Sequence, residues 1–154
     1  MADNKETFRQ LDFDFFKDGG PFPRSLTPQV IAYLGDAVFE LYTRAYLLKK
    51  MPGASPGQLH IMAVSLVKAS TQALLLREIA GILTEEENDL VRRGRNTRGQ
   101  VPRGAGMADY RYATGLECLL GSLFIAGKRG RLDELMAAML DKVLLNKKET
   151  EKEL

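Results

Sequence analysis

Apolar residues recur at three- and four-residue intervals along most of this chain, and no segment shows sustained alternation with polar ones. The pattern predicts helices joined by short links. Ser25 or Thr27 caps the first long one, with Pro28 in its opening turn, where a missing N–H costs nothing. It runs to about Lys50, where Lys49 and Lys50 suit the negative helix end and Met51-Pro52-Gly53 breaks it. A second pattern starts near Ser55 or Pro56 with Leu59, Met62, Ala63 and Leu66, and continues with a bend to Ile79. Gly81 stops it. Thr84 followed by Glu87 reads as a capping box for a helix over residues 85–94. From about Ala108 a further helix carries Tyr112, Leu116, Leu119, Leu120 and Leu123. Gly127 and Gly130 separate it from a last helix over residues 131–145.

The ends differ from the middle. Residues 1–25 form an acidic, aromatic arm closed by Gly19, Gly20, Pro21 and Pro23. Residues 146–154 form a charged tail expected to fray. Between them, residues 26–145 make one all-α, bundle-like domain, and 154 residues are enough for a sizeable core.

Composition adds exclusions. One cysteine (Cys118) and one histidine (His60) exclude a disulfide framework and a Cys/His zinc site. Cys118 reads as a lone buried thiol rather than half of a catalytic pair with His60. No apolar run approaches the roughly 18 residues of a membrane span, and the N-terminus lacks the make-up of a signal peptide. A cytoplasmic protein without membrane contact is expected.

The net charge is only +2, but it is unevenly spread. Residues 92–111 hold six arginines (Arg92, Arg93, Arg95, Arg98, Arg103, Arg111) against one acid, Asp109. In a glycine-rich loop such guanidinium forks suit phosphate oxygens, so the segment reads as a polyanion contact rather than a bland solvated loop.

Two carboxylates stand where apolar residues are expected. Asp36 follows Gly35 within a helix, and Glu117 lies in TGLECLLG. Glu40 shares a helix face with Asp36, and Thr114 one with Glu117. Either acid has a plain alternative, an ion pair with Arg44 or Arg111. Taken with the arginine loop, the two together suit a shared divalent cation, with Gly35 and Gly121 giving clearance for a neighbouring helix or a substrate.

AYLGDAVFE resembles the signature block of the ribonuclease III family, and TGLECLLGSLF resembles its second block. LH followed by VKASTQA, RRGRN, and YRYAT make the pattern most similar to the short Mini-ribonuclease III branch, which lacks a double-stranded-RNA-binding domain. The resemblance covers residues 26–140. It implies a ribonuclease III endonuclease-domain-like bundle that works as a homodimer on double-stranded RNA, with Mg²⁺ as cofactor. Products would carry 5′-phosphate and 3′-hydroxyl ends. Asp36 and Glu117 match the family's metal-binding, catalytic carboxylates, with Thr114 and Glu40 as contributors through water. Arg92, Arg93, Arg95, Asn96, Arg98, Arg103 and Lys68 would contact RNA, while His60 is read as structural. The implied substrate is precursor large-subunit (23S) ribosomal RNA, presented with a large-subunit ribosomal protein.

The chain departs from longer relatives at Gln29, Ala32 and Thr114, where those enzymes carry further acids. The short branch shares this thinning. Leu34, Phe39, Tyr42 and Tyr46 are read as part of a dimer interface or as core. The rival classes are a non-catalytic ribonuclease III-like RNA-binding module, which would not need both acids, and a helical protein-interaction module, which would bind no RNA.

Overall fold

The computed structural model describes residues 25–97 and 106–152, with side chains through residue 144. The N-terminal arm, Arg98 and Arg103 fall outside the described residues. The described residues form six α-helices and no strand: α1 (Pro28–Lys50), α2 (Pro56–Leu66), α3 (Ala69–Ile79), α4 (Glu85–Arg95), α5 (Met107–Ile125) and α6 (Arg129–Lys152). A 3₁₀ turn, Ala80–Ile82, follows α3.

Helix starts follow from capping chemistry. Thr27, not Ser25, caps α1 through a bond from the Val30 N–H, with Pro28 in the first turn. Ser55 and Gln58 form a capping box at α2, and Thr84 and Glu87 form another at α4. Two boundaries differ from expectation. The single bent helix is two helices, meeting at 65° around Val67 and Lys68. The last helix begins at Arg129 and continues through the charged tail to Lys152.

Helix α5 is the axis of the domain. Nine of its residues are buried, among them Leu116, Leu119, Leu120 and Leu123, so it is apolar nearly all round. Helices α1, α3, α4 and α6 pack around it, and α1 makes the most extensive contact. Phe39, Leu75, Leu135, Met136 and Met139 complete the core, while Leu47, Ala63 and Leu66 form a smaller cluster under α2. Helix α6 is fastened at several points. Tyr42 and Tyr46 of α1 donate to Asp133 and Asp141 at 2.5 Å, Lys142 pairs with Glu78 at 3.2 Å, and Arg131 pairs with Glu87 at 2.8 Å.

Glycine sets how closely α1 meets α5. A Cβ at Gly35 would lie 1.7 Å from the Glu117 carbonyl oxygen, and one at Gly121 would lie 2.3 Å from the Ile31 carbonyl oxygen. Any side chain at either position would force the helices apart. The cost of glycine in a helix, about 1 kcal/mol each, is offset here by backbone-to-backbone packing.

Candidate active site

The α1/α5 crossing brings together the two acids that looked misplaced in sequence. Asp36 directly follows the glycine that touches Glu117's own backbone, and the two carboxyl groups face each other closely enough to affect each other's protonation. Glu117 is half-buried; Asp36 is exposed overall, although its carboxyl tip loses water where it meets α5. Burial, and then the charge of Asp36, push the Glu117 carboxyl up to about 8. Asp36 is also raised, by desolvation and then by Glu40, while its bond to Glu117 opposes the shift. Two carboxylates this close cannot both ionise cheaply without a cation, so the pair holds a proton in its place.

The ion-pair alternatives for these acids do not form. Arg44 turns to Glu40 on its own helix, and among the described residues Arg111 makes no ion pair with either acid. Glu40 is therefore engaged, and acts on Asp36 only through its charge. Thr114 is buried and its hydroxyl donates to the Tyr110 carbonyl at 2.9 Å, committing its proton within α5. Among the described residues no group of three or more His, Cys, Asp or Glu side chains is arranged to hold a metal. The protein offers two carboxylates.

A third participant was missed in the sequence. Gln72 of α3 is 2% exposed and its amide faces Glu117, where it partly counters the upward shift. The signal was present: Gln72 lies on the apolar stripe of Leu75, Leu76 and Ile79, as out of place as Asp36 and Glu117 are on theirs.

The arginines divide. Arg92 and Arg93 are exposed on α4, both pairing with Asp89 one turn back, and Asn96 is the exposed C-cap. Arg95 instead stacks its guanidinium 4.1 Å from the centre of the Tyr112 ring, with Arg77 at 4.6 Å from the same ring. It is a half-buried packing residue between α4 and α5. Lys68 is exposed at the α2–α3 bend, where its carbonyl receives the Gln72 N–H at 2.9 Å. His60 is exposed beside Arg44, Leu48 and Leu59, and Cys118 is buried and far from surface chemistry. Phe39 is fully buried, while Leu34, Tyr42 and Tyr46 pack against the same core. Phe39 is core, and the other three are partly buried at its edge. The outward face of α1 is another set, Val30, Tyr33, Leu41 and Leu48, with Tyr33 84% exposed.

An all-α bundle whose axial helix and its most extensively packed partner join two carboxylates with no cation between them has the make-up of a nuclease domain. A family model described as Ribonuclease III domain matches residues 29–128. Curated relatives named Mini-ribonuclease 3 include one from Symbiobacterium thermophilum, 42% identical over 77% of this chain and 92% of its own length. Another, from Gloeobacter violaceus, is 48% identical over 68% of this chain and 76% of its own. A crystal structure of a protein from Fusobacterium nucleatum, 26% identical, superposes with a TM-score of 0.71 over 80% of this chain and 98% of that one. The chain belongs to the ribonuclease III family, a family of endoribonucleases.

Proposed function

We propose that this protein is a Mg²⁺-dependent endoribonuclease that cuts double-stranded RNA as a homodimer, with Asp36 and Glu117 as its catalytic carboxylates. The observation that carries the reading is their meeting at the α1/α5 crossing, where Gly35 lies against the Glu117 backbone and buried Gln72 stands beside Glu117. Residues spent on stability alone would be paired with a cation or replaced by apolar ones.

The donor set fits the metal. Mg²⁺ takes oxygen ligands, keeps several waters, and is commonly held by one or two carboxylates together with substrate phosphates. Asp36 and Glu117 would hold it, and Glu117 must first give up its proton. The chemistry a bound cation supplies is Lewis acidity, which lowers the pKa of water and offsets charge on phosphate. The chain's own residues do the rest. Gln72 fixes Glu117, the glycine crossing fixes the distance between the two helices, and Arg92, Arg93, Asn96 and Lys68 bind backbone phosphates. Recognition is then by the shape and charge of an A-form duplex, with products ending in 5′-phosphate and 3′-hydroxyl.

The dimer reading is supported by the outward apolar residues of α1, spaced along the helix that carries Asp36, with Ile61 and Val64 of α2 also exposed. A second copy covering α1 would set two cleavage sites side by side, one for each strand. The relatives' name supports an RNA substrate and no finer one. That this RNA is a base-paired stalk of precursor 23S RNA, bound with a large-subunit ribosomal protein in the cytoplasm, rests on the sequence resemblance alone.

One assay tests the reading. Long double-stranded RNA is incubated with wild type, Asp36→Asn and Glu117→Gln, with Mg²⁺ or chelator. Mg²⁺-dependent cleavage is expected from wild type, with a loss of about a thousandfold or more in either variant. Binding without cleavage by wild type makes the protein a non-catalytic RNA-binding module, and cleavage surviving both substitutions rejects the site.

A further inference from the structure

The stretch KASTQ, residues 68–72, opens α3 straight after the bend from α2. Lys68 at the N-cap makes no side-chain cap bond. Two side chains from the first turn reach back across the bend instead. Thr71 Oγ1 donates to the Ser65 carbonyl at 2.8 Å, and Gln72 Nε2 donates to the Val67 carbonyl at 3.2 Å.

Gln72 differs from Thr71 in one respect: it is buried, and its amide faces the Glu117 carboxyl of α5. The bond to the Val67 carbonyl fixes Nε2, whose second N–H can be given to the Glu117 carboxylate once that group has exchanged its proton for a cation. Oε1 is left buried without a hydrogen-bond partner. A buried, unpaired acceptor on an otherwise apolar stripe is destabilising, and a leucine there would avoid it. The polar group is therefore not explained by packing.

We propose that Gln72 is a positioning residue of the cleavage site. Anchored to the α2–α3 bend, it holds the Glu117 carboxylate in the orientation a metal ligand needs. This rests on Asp36 and Glu117 being the metal ligands, and it explains how two carboxylates suffice. Exposed Gln29, buried Ala32 and back-bonded Thr114 add no third one, so the aim of Glu117 matters more. Partners that orient a metal ligand commonly change affinity by about 10–100-fold when removed.

The test is Mn²⁺ binding to the metal-stripped full chain by titration calorimetry, beside thermal melting in chelator. Wild type, Asp36→Asn, Gln72→Leu and Thr71→Val are compared. Wild type should show binding that Asp36→Asn abolishes. Gln72→Leu should weaken it by about tenfold or more, while Thr71→Val, which loses only a bond across the bend, should stay within about twofold. A Gln72→Leu affinity within about twofold of wild type overturns the inference and leaves the metal site standing. Absence of any Asp36-dependent binding in wild type overturns both. Equal weakening by Gln72→Leu and Thr71→Val would mean that the bend matters and the amide does not, which also overturns it. If Gln72→Leu does not fold, Gln72→Met is read by the same criteria.

Discussion

Two glutamates enter the body of this domain, and the fold treats them in opposite ways. Glu87 on α4 is 6% exposed and fully answered: Arg131 of α6 meets both its oxygens at 2.8 and 2.9 Å, and the Thr84 N–H bonds it at 2.9 Å. Arg131 and the cap outweigh burial and hold its carboxyl below the usual range. Glu117 on α5 meets another acid and an amide, and its carboxyl rises to about 8. One site is complete within the chain. The other is complete only when something positive arrives. A buried carboxylate therefore says little about function until its partners are known, and here the partners separate clasp from active site.

The clasp should break first and most deeply. Glu87→Gln leaves Arg131 with the Glu134 carboxylate at 3.0 Å and the Ile82 carbonyl at 2.6 Å, and removes the charge that ties α4 to α6. A loss of about 3 kcal/mol is expected, the low end for breaking a buried pair because Glu134 remains. Glu117→Gln should lose no stability in chelator at neutral pH, since the carboxyl holds its proton there and a neutral amide replaces a neutral acid. Urea melts of the two variants settle this. Equal destabilisation would erase the contrast between the two sites.

The next effect falls on the crossing that creates the active site. Gly35→Ala gains about 1 kcal/mol of helix propensity but puts a methyl on the Glu117 backbone. A net loss of about 2–3 kcal/mol is expected, together with reduced cleavage as Asp36 is moved from Glu117. Gly81 has open space where a Cβ would stand, so Gly81→Ala should be neutral or slightly stabilising. Thermal melting of both variants gives the comparison, and a neutral Gly35→Ala would show that the close approach is not required.

Much of this was legible in the sequence because it depends on local chemistry. The Thr84–Glu87 box, the Pro28 start and the Met51-Pro52-Gly53 break each rest on residues a few positions apart, and the helices begin and end there. Asp36 and Glu117 were legible as polar residues on apolar stripes. Gln72 met the same criterion but is uncharged, so its misfit is quieter. Helical phase misled the reading of the arginines: Arg92 and Arg93 point out, while Arg95 crosses to Tyr112, a partner 17 positions away that no local pattern reveals. The face of α1 divides likewise, because which of its two apolar sides meets α5 depends on Gly35 and Gly121 meeting across 86 positions.

The smallest effect is the most diagnostic, because the two glutamates should slope in opposite directions with pH. Glu87 is held below its ordinary 4.5, so its contribution is present above that value and is lost as pH falls through the folded value. Glu117 is raised from 4.5 to about 8, so the native state holds a proton that the unfolded chain has released. Its contribution is present below about 4.5 and disappears as pH rises towards 8. In chelator, wild type should therefore lose about 2 kcal/mol between pH 5 and 8, the shift being discounted for the solvent that reaches the site. Urea melts across that range should show the fall in wild type and its absence in Glu117→Gln. Saturating Mg²⁺ should cancel or reverse it, since a cation takes the place of the proton and binds better as the carboxyl ionises. A wild-type slope that Glu117→Gln leaves unchanged would mean that the proton sits elsewhere, and the contrast between a finished clasp and a site waiting for a cation would lose its electrostatic basis.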